Sequence, residues 1–496
     1  MATTKMHTFY PTQSKTCLPQ EVEAVTTSDG QHPIDITTEK RITRKLDLHI
    51  IPWLFFMWFF GSLDRANIGN ASIAGLSKDL KLENVQFNVA LLIFYIPYVV
   101  IDIPSNLVIK HFQAGYYLPA LIIVWGLTCT CMGFVKSYGG LIAGRAILGM
   151  CEGGLIGGIL IYLALFYRRQ QLLTRVGLFA SAAPLAIAFG GLLATGLSKI
   201  SCGGYNGWPW IFFVEGAITV AYGILTLFFL PHTPAQAKFF NAQDRDVAVR
   251  RMKEDADGAM AADEAGDEHF KWHWVRMALK SPNTIICSLG WFFLLISIYS
   301  YALFLPTIIH ELGYSAVHAQ LLTVPPNICG FVAILVLSTW SDKVKARGPF
   351  IVGGCILAIA GYIMLLAAES PAVKYGGTFL IATGVYPGTP IVQGWLANNL
   401  APHYVRATGI GFQVTVANCA AFIATFAYLS KDAPRFVLGH SISIGGLGLC
   451  SITTLLGMGY CRWENARREN GERNHRLSEE RVDLLGHRHP SFRYTI

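Results

Sequence analysis

Apolar runs of about twenty residues recur along this chain, the length a helix needs to cross ~30 Å of hydrocarbon at about 1.5 Å per residue. Leu48–Gly61 and Val176–Ser198 contain no Asp, Glu, Lys or Arg. A soluble chain of 496 residues would divide into domains with polar surfaces and about 25% charged residues. Only 14% are charged here and 53% are hydrophobic. The pattern therefore predicts an all-α membrane protein.

Twelve spans are expected, at about 47–69, 86–109, 117–135, 140–166, 176–198, 209–230, 284–305, 318–341, 349–368, 375–397, 407–429 and 437–461. A polar stretch, Pro231–Pro282, follows the sixth. It carries an acidic patch at Asp255–Glu268 and a predicted helix near Ala235–Lys253. The chain thus reads as residues 1–45, a disordered N-terminus; 46–231, a six-helix half; 232–283, a central loop; 284–461, a second six-helix half; and 462–496, a polar, basic tail read as solvated beside anionic lipid. Short motifs at matching places in spans two and eight, Tyr95-Ile96-Pro97 and Val324-Pro325-Pro326, point to two pseudo-symmetric halves.

The distribution of Lys and Arg sets an expected orientation. Even-numbered loops hold Arg168, Arg169 and Arg175, then Lys343, Lys345 and Arg347, whereas the third, fifth and ninth loops hold a single Lys each. Both termini and the central loop are expected in the cytoplasm. No cleavable leader is apparent, so the first apolar run is expected to act as an uncleaved anchor. The net charge of +8 sits in loops and tails, so it predicts topology rather than nucleic-acid binding. No metal-ligand spacing, nucleophile elbow or phosphate loop is present, which argues against an enzyme and predicts no cofactor.

Ionisable groups inside the spans cost at least ~2.5–3.5 kcal/mol each unless they face a cavity or a partner. Asp64 and Arg65 in span one and Arg145 and Glu152 in span four stand out, with Asp102 and Glu215 behind them. Arg145 and Glu152 lie two turns apart on one helix face. The adjacent Asp64 and Arg65 diverge by about 100°, so each needs a partner on another helix. The bland alternative is that these are buried pairs fixing helix packing. The 48 glycines, several at close spacing in spans four and five, suit close helix approach.

The ordered set Leu63-Asp64-Arg65-Ala66-Asn67, Ile93-Phe94-Tyr95-Ile96-Pro97-Tyr98, Arg145-Ala146-Ile147-Leu148-Gly149 with Glu152, Trp210-Ile211-Phe212 with Glu215, Ser341-Asp342-Lys343, Trp395-Leu396-Ala397-Asn398-Asn399 and His489-Pro490-Ser491-Phe492-Arg493-Tyr494 resembles the major facilitator superfamily. Within it, the likeness is to the anion:cation symporter group and the fungal allantoate permease family. The resemblance implies a major facilitator fold and a monomer in the lipid bilayer, most often the plasma membrane, that moves a small organic anion by alternating access. It implies substrate contact for Arg65, Tyr98, Arg145 and Asn399, proton coupling for Asp64 and Glu152, and a gate at Asp342, Lys343 and Arg347. Its gate motif between spans two and three is degenerate here, and Gly157 replaces a usual Pro, which predicts a more regular span four. Export in the same fold and a non-transporting nutrient sensor are the other readings; retained membrane charges argue against the sensor.

Overall fold

The computed structural model describes residues 36–83, 85–252, 272–344, 346–401, 403–478 and 485–496. Ten helices among them are long and apolar enough to cross a membrane. The other two expected spans are also helical. Span two is Gln86–Phe112, and span ten is the pair Pro371–Val385 and Gly388–Asn399. Pro387 forms the break between that pair, a position where a ring without an N–H interrupts the ladder. Span four is interrupted as well, at Gly154 between Tyr138–Gly153 and Leu155–Phe166. The regularity expected from Gly157 is therefore not observed.

The two six-helix halves meet at the end of the bundle away from the termini. The Asn88 side-chain amide at the start of span two donates to the carbonyl oxygens of Thr425 (2.5 Å) and Tyr428 (3.3 Å) in and beside span eleven. Gln320 donates to the Asn70 carbonyl at 3.4 Å. Backbones approach closely along this seam: a Cβ on Gly69 would stand 2.6 Å from the Leu303 carbonyl oxygen, and one on Gly191 would stand 2.6 Å from that of Gln320.

At the opposite end the described part of the N-terminal segment is helical where disorder was expected. Residues Ile36–His49 form an amphipathic helix tied to the first half. Arg41 and Lys45 both reach Asp244 at 2.6 Å, Glu39 meets Arg168 at 3.0 Å, and Asp47 meets Arg175 at 2.7 Å. Hydrogen bonds from Lys45 and Arg41 hold the Asp244 carboxyl below its ordinary value. Asp244 belongs to a helix over 242–252, shorter than the one expected from Ala235. The acidic patch Asp255–Glu268 lies outside the described residues.

The tail corrects its expected solvated state. Span twelve continues as one helix to Glu469. Residues 485–496 then return against the second half. Trp395 Nε1 and Asn399 Nδ2 donate to the Thr495 carbonyl, at 2.9 and 3.0 Å, while the Thr495 N–H donates to Asn399 Oδ1 at 2.8 Å. Arg468 lies over the Tyr494 ring at 4.3 Å and donates to the carbonyls of Phe492 and His487. The backbone N–H and Nδ1 of His487 both donate to the Ala401 carbonyl at 2.9 Å.

His487 makes this seat pH-dependent. Burial pushes its imidazole down to about 4, aided by Arg488, Arg468 and Arg476 and opposed by the bond to Ala401. An undocked tail would take up a proton near the ordinary value of about 6.5. Docking is therefore fully favoured above that pH and is lost progressively as pH falls toward 4. Tail proteolysis in detergent-solubilised protein is expected to accelerate several-fold between pH 7 and pH 5, and His487→Gln should flatten that dependence. An equal rate at both pH values would exclude the His487 linkage.

Candidate functional site

A cavity lies between the halves, enclosing about 1170 Å³ including its mouth. Spans one, two, four and five line it from the first half, and spans seven, eight, ten and eleven from the second. Its walls are mainly apolar and aromatic: Trp58, Tyr95, Tyr98, Trp291, Tyr299 and Tyr386 face it. Each comes from the middle of its span, and Tyr95 and Tyr299 meet across the two halves with ring centroids 5.2 Å apart.

Arg65 is the guanidinium in this lining. Its Nε donates to Glu152 Oε2 at 2.6 Å, joining spans one and four. The Arg65 side chain is 13% exposed and Glu152 is fully enclosed. Arg65 also lies over Trp58 at 4.8 Å and Tyr98 at 5.3 Å, so aromatic faces share its charge. One terminal nitrogen of Arg65 and one oxygen of Glu152 have no hydrogen-bond partner among the described residues. The pair is thus half-satisfied, with Arg65 at the edge of a space large enough for a ligand and Glu152 enclosed behind it.

The expected site residues separate into groups. Arg65 and Tyr98 line the cavity, and Glu152 stands behind Arg65, outside the lining. Arg145 does not line it: it is buried against Phe94 (4.8 Å), and its Nε donates to the Ala90 carbonyl at 3.3 Å. Asp64 points away, into the wall formed with spans three and six. There it accepts from Trp125 Nε1 (3.0 Å), Cys129 Sγ (3.4 Å), Thr219 Oγ1 (3.4 Å) and Asn67 Nδ2 (3.3 Å). The divergence of adjacent helical side chains explains why Asp64 and Arg65 face different surroundings. Asn399 lies at the end of span ten, with both ends of its amide bonded to Thr495, and is not part of the cavity lining. Asp342 and Arg347 pair at 2.7 Å, and the Arg347 N–H donates to the Ile496 carbonyl. Lys343 is exposed. The gate residues therefore lie beside the docked tail.

Sequence reasoning passed over Trp58, Trp291, Tyr299 and Tyr386. The signal available was an aromatic residue in the middle third of a span. Apolar packing produces the same signal, so it could not single them out.

The sequence matches the family described as Major Facilitator Superfamily over residues 54–425. It is 36% identical over 436 residues to an uncharacterized transporter of Schizosaccharomyces pombe, covering 88% of this chain and 86% of that protein. It is 32% identical over 437 residues to the high-affinity nicotinic acid transporter of Saccharomyces cerevisiae, covering 87% and 80%. A major facilitator-type transporter of Emericella nidulans is 31% identical over 481 residues, covering 93% and 94%. Among solved structures, an inward-facing bacterial homolog of the human lysosomal transporter Spinster superposes with a TM-score of 0.60 at 14% identity, covering 86% of this chain and 95% of that one. The inward-open xylose transporter XylE of E. coli gives 0.58 at 13%, covering 81% and 94%. Ten membrane-length helices, a central cavity between two halves and this match across most of the sequence make the chain a membrane transporter of the major facilitator superfamily, and not an enzyme.

Proposed function

We propose that this transporter carries a small organic monocarboxylate with a planar ring into the cytoplasm together with a proton. The observation that carries the reading is the Arg65–Glu152 pair at the wall of an aromatic cavity. One guanidinium in a lining with no other charged side chain among the described residues suits a ligand with one anionic group. Trp58, Tyr95, Tyr98, Trp291 and Tyr299 supply flat faces for its body. The nicotinic acid transporter among the relatives fits this class.

The coupling follows from competition for Arg65. Glu152 occupies the guanidinium in the empty cavity. A carboxylate ligand can take the Nε–Nη edge of Arg65 in two-point geometry only if Glu152 gives it up. Releasing Glu152 as an anion would strand a buried charge; releasing it as a neutral acid would not. Proton and substrate therefore bind as a set, each favouring the other. The loaded cavity then holds one neutral acid and one satisfied ion pair, so the halves can rock around it. Closure away from the termini, with those termini in the cytoplasm, corresponds to an inward-open form.

Uptake into proteoliposomes with an imposed pH gradient tests this. Labelled nicotinate should accumulate when the outside is acidic and should be displaced by benzoate but not by nicotinamide, which has the ring without the charge. Equal displacement by nicotinamide, or accumulation indifferent to the gradient, refutes the proposal.

A further inference from the structure

The wall behind span one holds two acids and no base. Glu215, in span six, is fully buried, and neither carboxylate oxygen has a hydrogen-bond partner among the described residues. The charge that acts on it is another acid, Asp64. Asp64 is 1% exposed and accepts from four donors, Asn67, Trp125, Cys129 and Thr219. Two of those donors connect the acids. Thr219 lies one turn beyond Glu215 on the same face of span six, and Asn67 lies one turn beyond Asp64. The Asn67 carbonyl oxygen is itself buried and unpartnered.

The wall leaves little space for a counter-ion. Spans three and six run backbone to backbone: a Cβ on Gly216 would stand 2.5 Å from the Thr130 nitrogen, and one on Gly126 would stand 2.9 Å from that of Val220. The nearest guanidinium in sequence, Arg65, is directed into the cavity and engaged by Glu152. Neither Asp64 nor Glu215 lines the cavity. An ionised Glu215 would be a desolvated anion beside a second acid and without a cation, and the Asn67 amide that could donate to it is already engaged by Asp64. The neutral acid avoids both terms, and its O–H can face the unpartnered Asn67 oxygen.

We infer that Glu215 is a second proton-binding residue of the transport cycle, paired with Asp64 in the wall of the first half and separated by span one from the Arg65–Glu152 pair. The cycle then moves one proton more than the cavity pair alone accounts for. This builds on the symport reading for the movement of that proton, but not for its binding. When the halves rock, span one shifts against spans three and six, and the Asp64–Glu215 spacing that keeps the acid neutral changes with it.

Infrared spectroscopy on reconstituted protein at neutral pH reads the binding directly. A carbonyl band of a protonated carboxylic acid is expected in wild type and in Glu152→Gln, and it should be lost in Glu215→Gln. Asp64→Asn, which removes the neighbouring charge, should shift the same band, and this keeps the assignment testable if Glu215→Gln does not fold. The flux measurement is the proton-to-substrate ratio under an imposed gradient, which should fall by one in Glu215→Gln while substrate exchange continues. A spectrum without a band sensitive to either wall acid overturns the inference, as does an unchanged ratio. If wild type moves no proton with substrate, the symport reading fails by itself, and the infrared band still decides whether Glu215 holds a proton.

Discussion

Arg65→Ala is expected to lower uptake at sub-saturating substrate by about 10- to 100-fold with the protein still present in the membrane. The substitution removes the guanidinium from the cavity lining and with it a charge-assisted contact worth ~1.5–3 kcal/mol. It also strands Glu152, which then binds a proton whether or not substrate is present, so the pH dependence of uptake should flatten together with the loss of rate. Arg65→Lys should recover only part of the rate, because an ammonium cannot make the planar two-point contact. Arg145→Lys is the informative contrast. Arg145 touches the Phe94 ring and the Ala90 carbonyl rather than the cavity, so its loss should reduce the amount of folded protein more than the substrate KM. Paired measurements of surface abundance and uptake separate the two. A normal KM in Arg65→Ala would remove Arg65 from substrate recognition.

The second large effect is expected at the seam between the halves. A side chain at Gly191 would meet the Thr323 hydroxyl and the Gln320 carbonyl across the interface. Overpacking of this kind costs about 1–3 kcal/mol. Here the cost falls only on the sealed form, since the other form separates these surfaces. A differential of that size shifts the balance about 5- to 150-fold. Gly191→Leu should therefore hold the end away from the termini open. A cysteine placed at the cavity position Ile298 should become reactive to an impermeant maleimide from that side, while net uptake drops at least about tenfold. Unchanged labelling with full uptake would mean that the seam does not close during transport.

Much of the bundle could be read from hydropathy, because in lipid an apolar run of sufficient length has few alternatives to a helix. Mid-span charge also marked Arg65, Glu152 and Glu215, since each must be buried in protein. The direction each side chain takes was less accessible. Asp64 and Arg65 are neighbours of equal polarity, and only the packing of spans three and six shows that Asp64 finds Trp125 and Thr219 instead of a cation. Asn399 was expected as a ligand contact from the family resemblance alone. Its partner is Thr495, 96 residues away. The tail appeared solvated on composition, yet Phe492 and Tyr494 within it were available as signs of a docking segment. The Arg468 contact that holds Tyr494 comes from the end of span twelve, and no local pattern connects the two.

That docked segment bears on how the chain is made. Residues 485–496 are translated after every helix, yet Trp395, Asn399 and Arg468 depend on them for hydrogen bonds. The end of the second half that carries Trp395, Asn399 and Arg468 therefore stays unfinished on the ribosome until the final codons of that stretch have been read. A message that stops before them yields the twelve spans with the Trp395 indole and the Asn399 amide without Thr495, and with Arg468 left to Glu464. Integrity of the coding sequence is thus written into the packing of the folded protein.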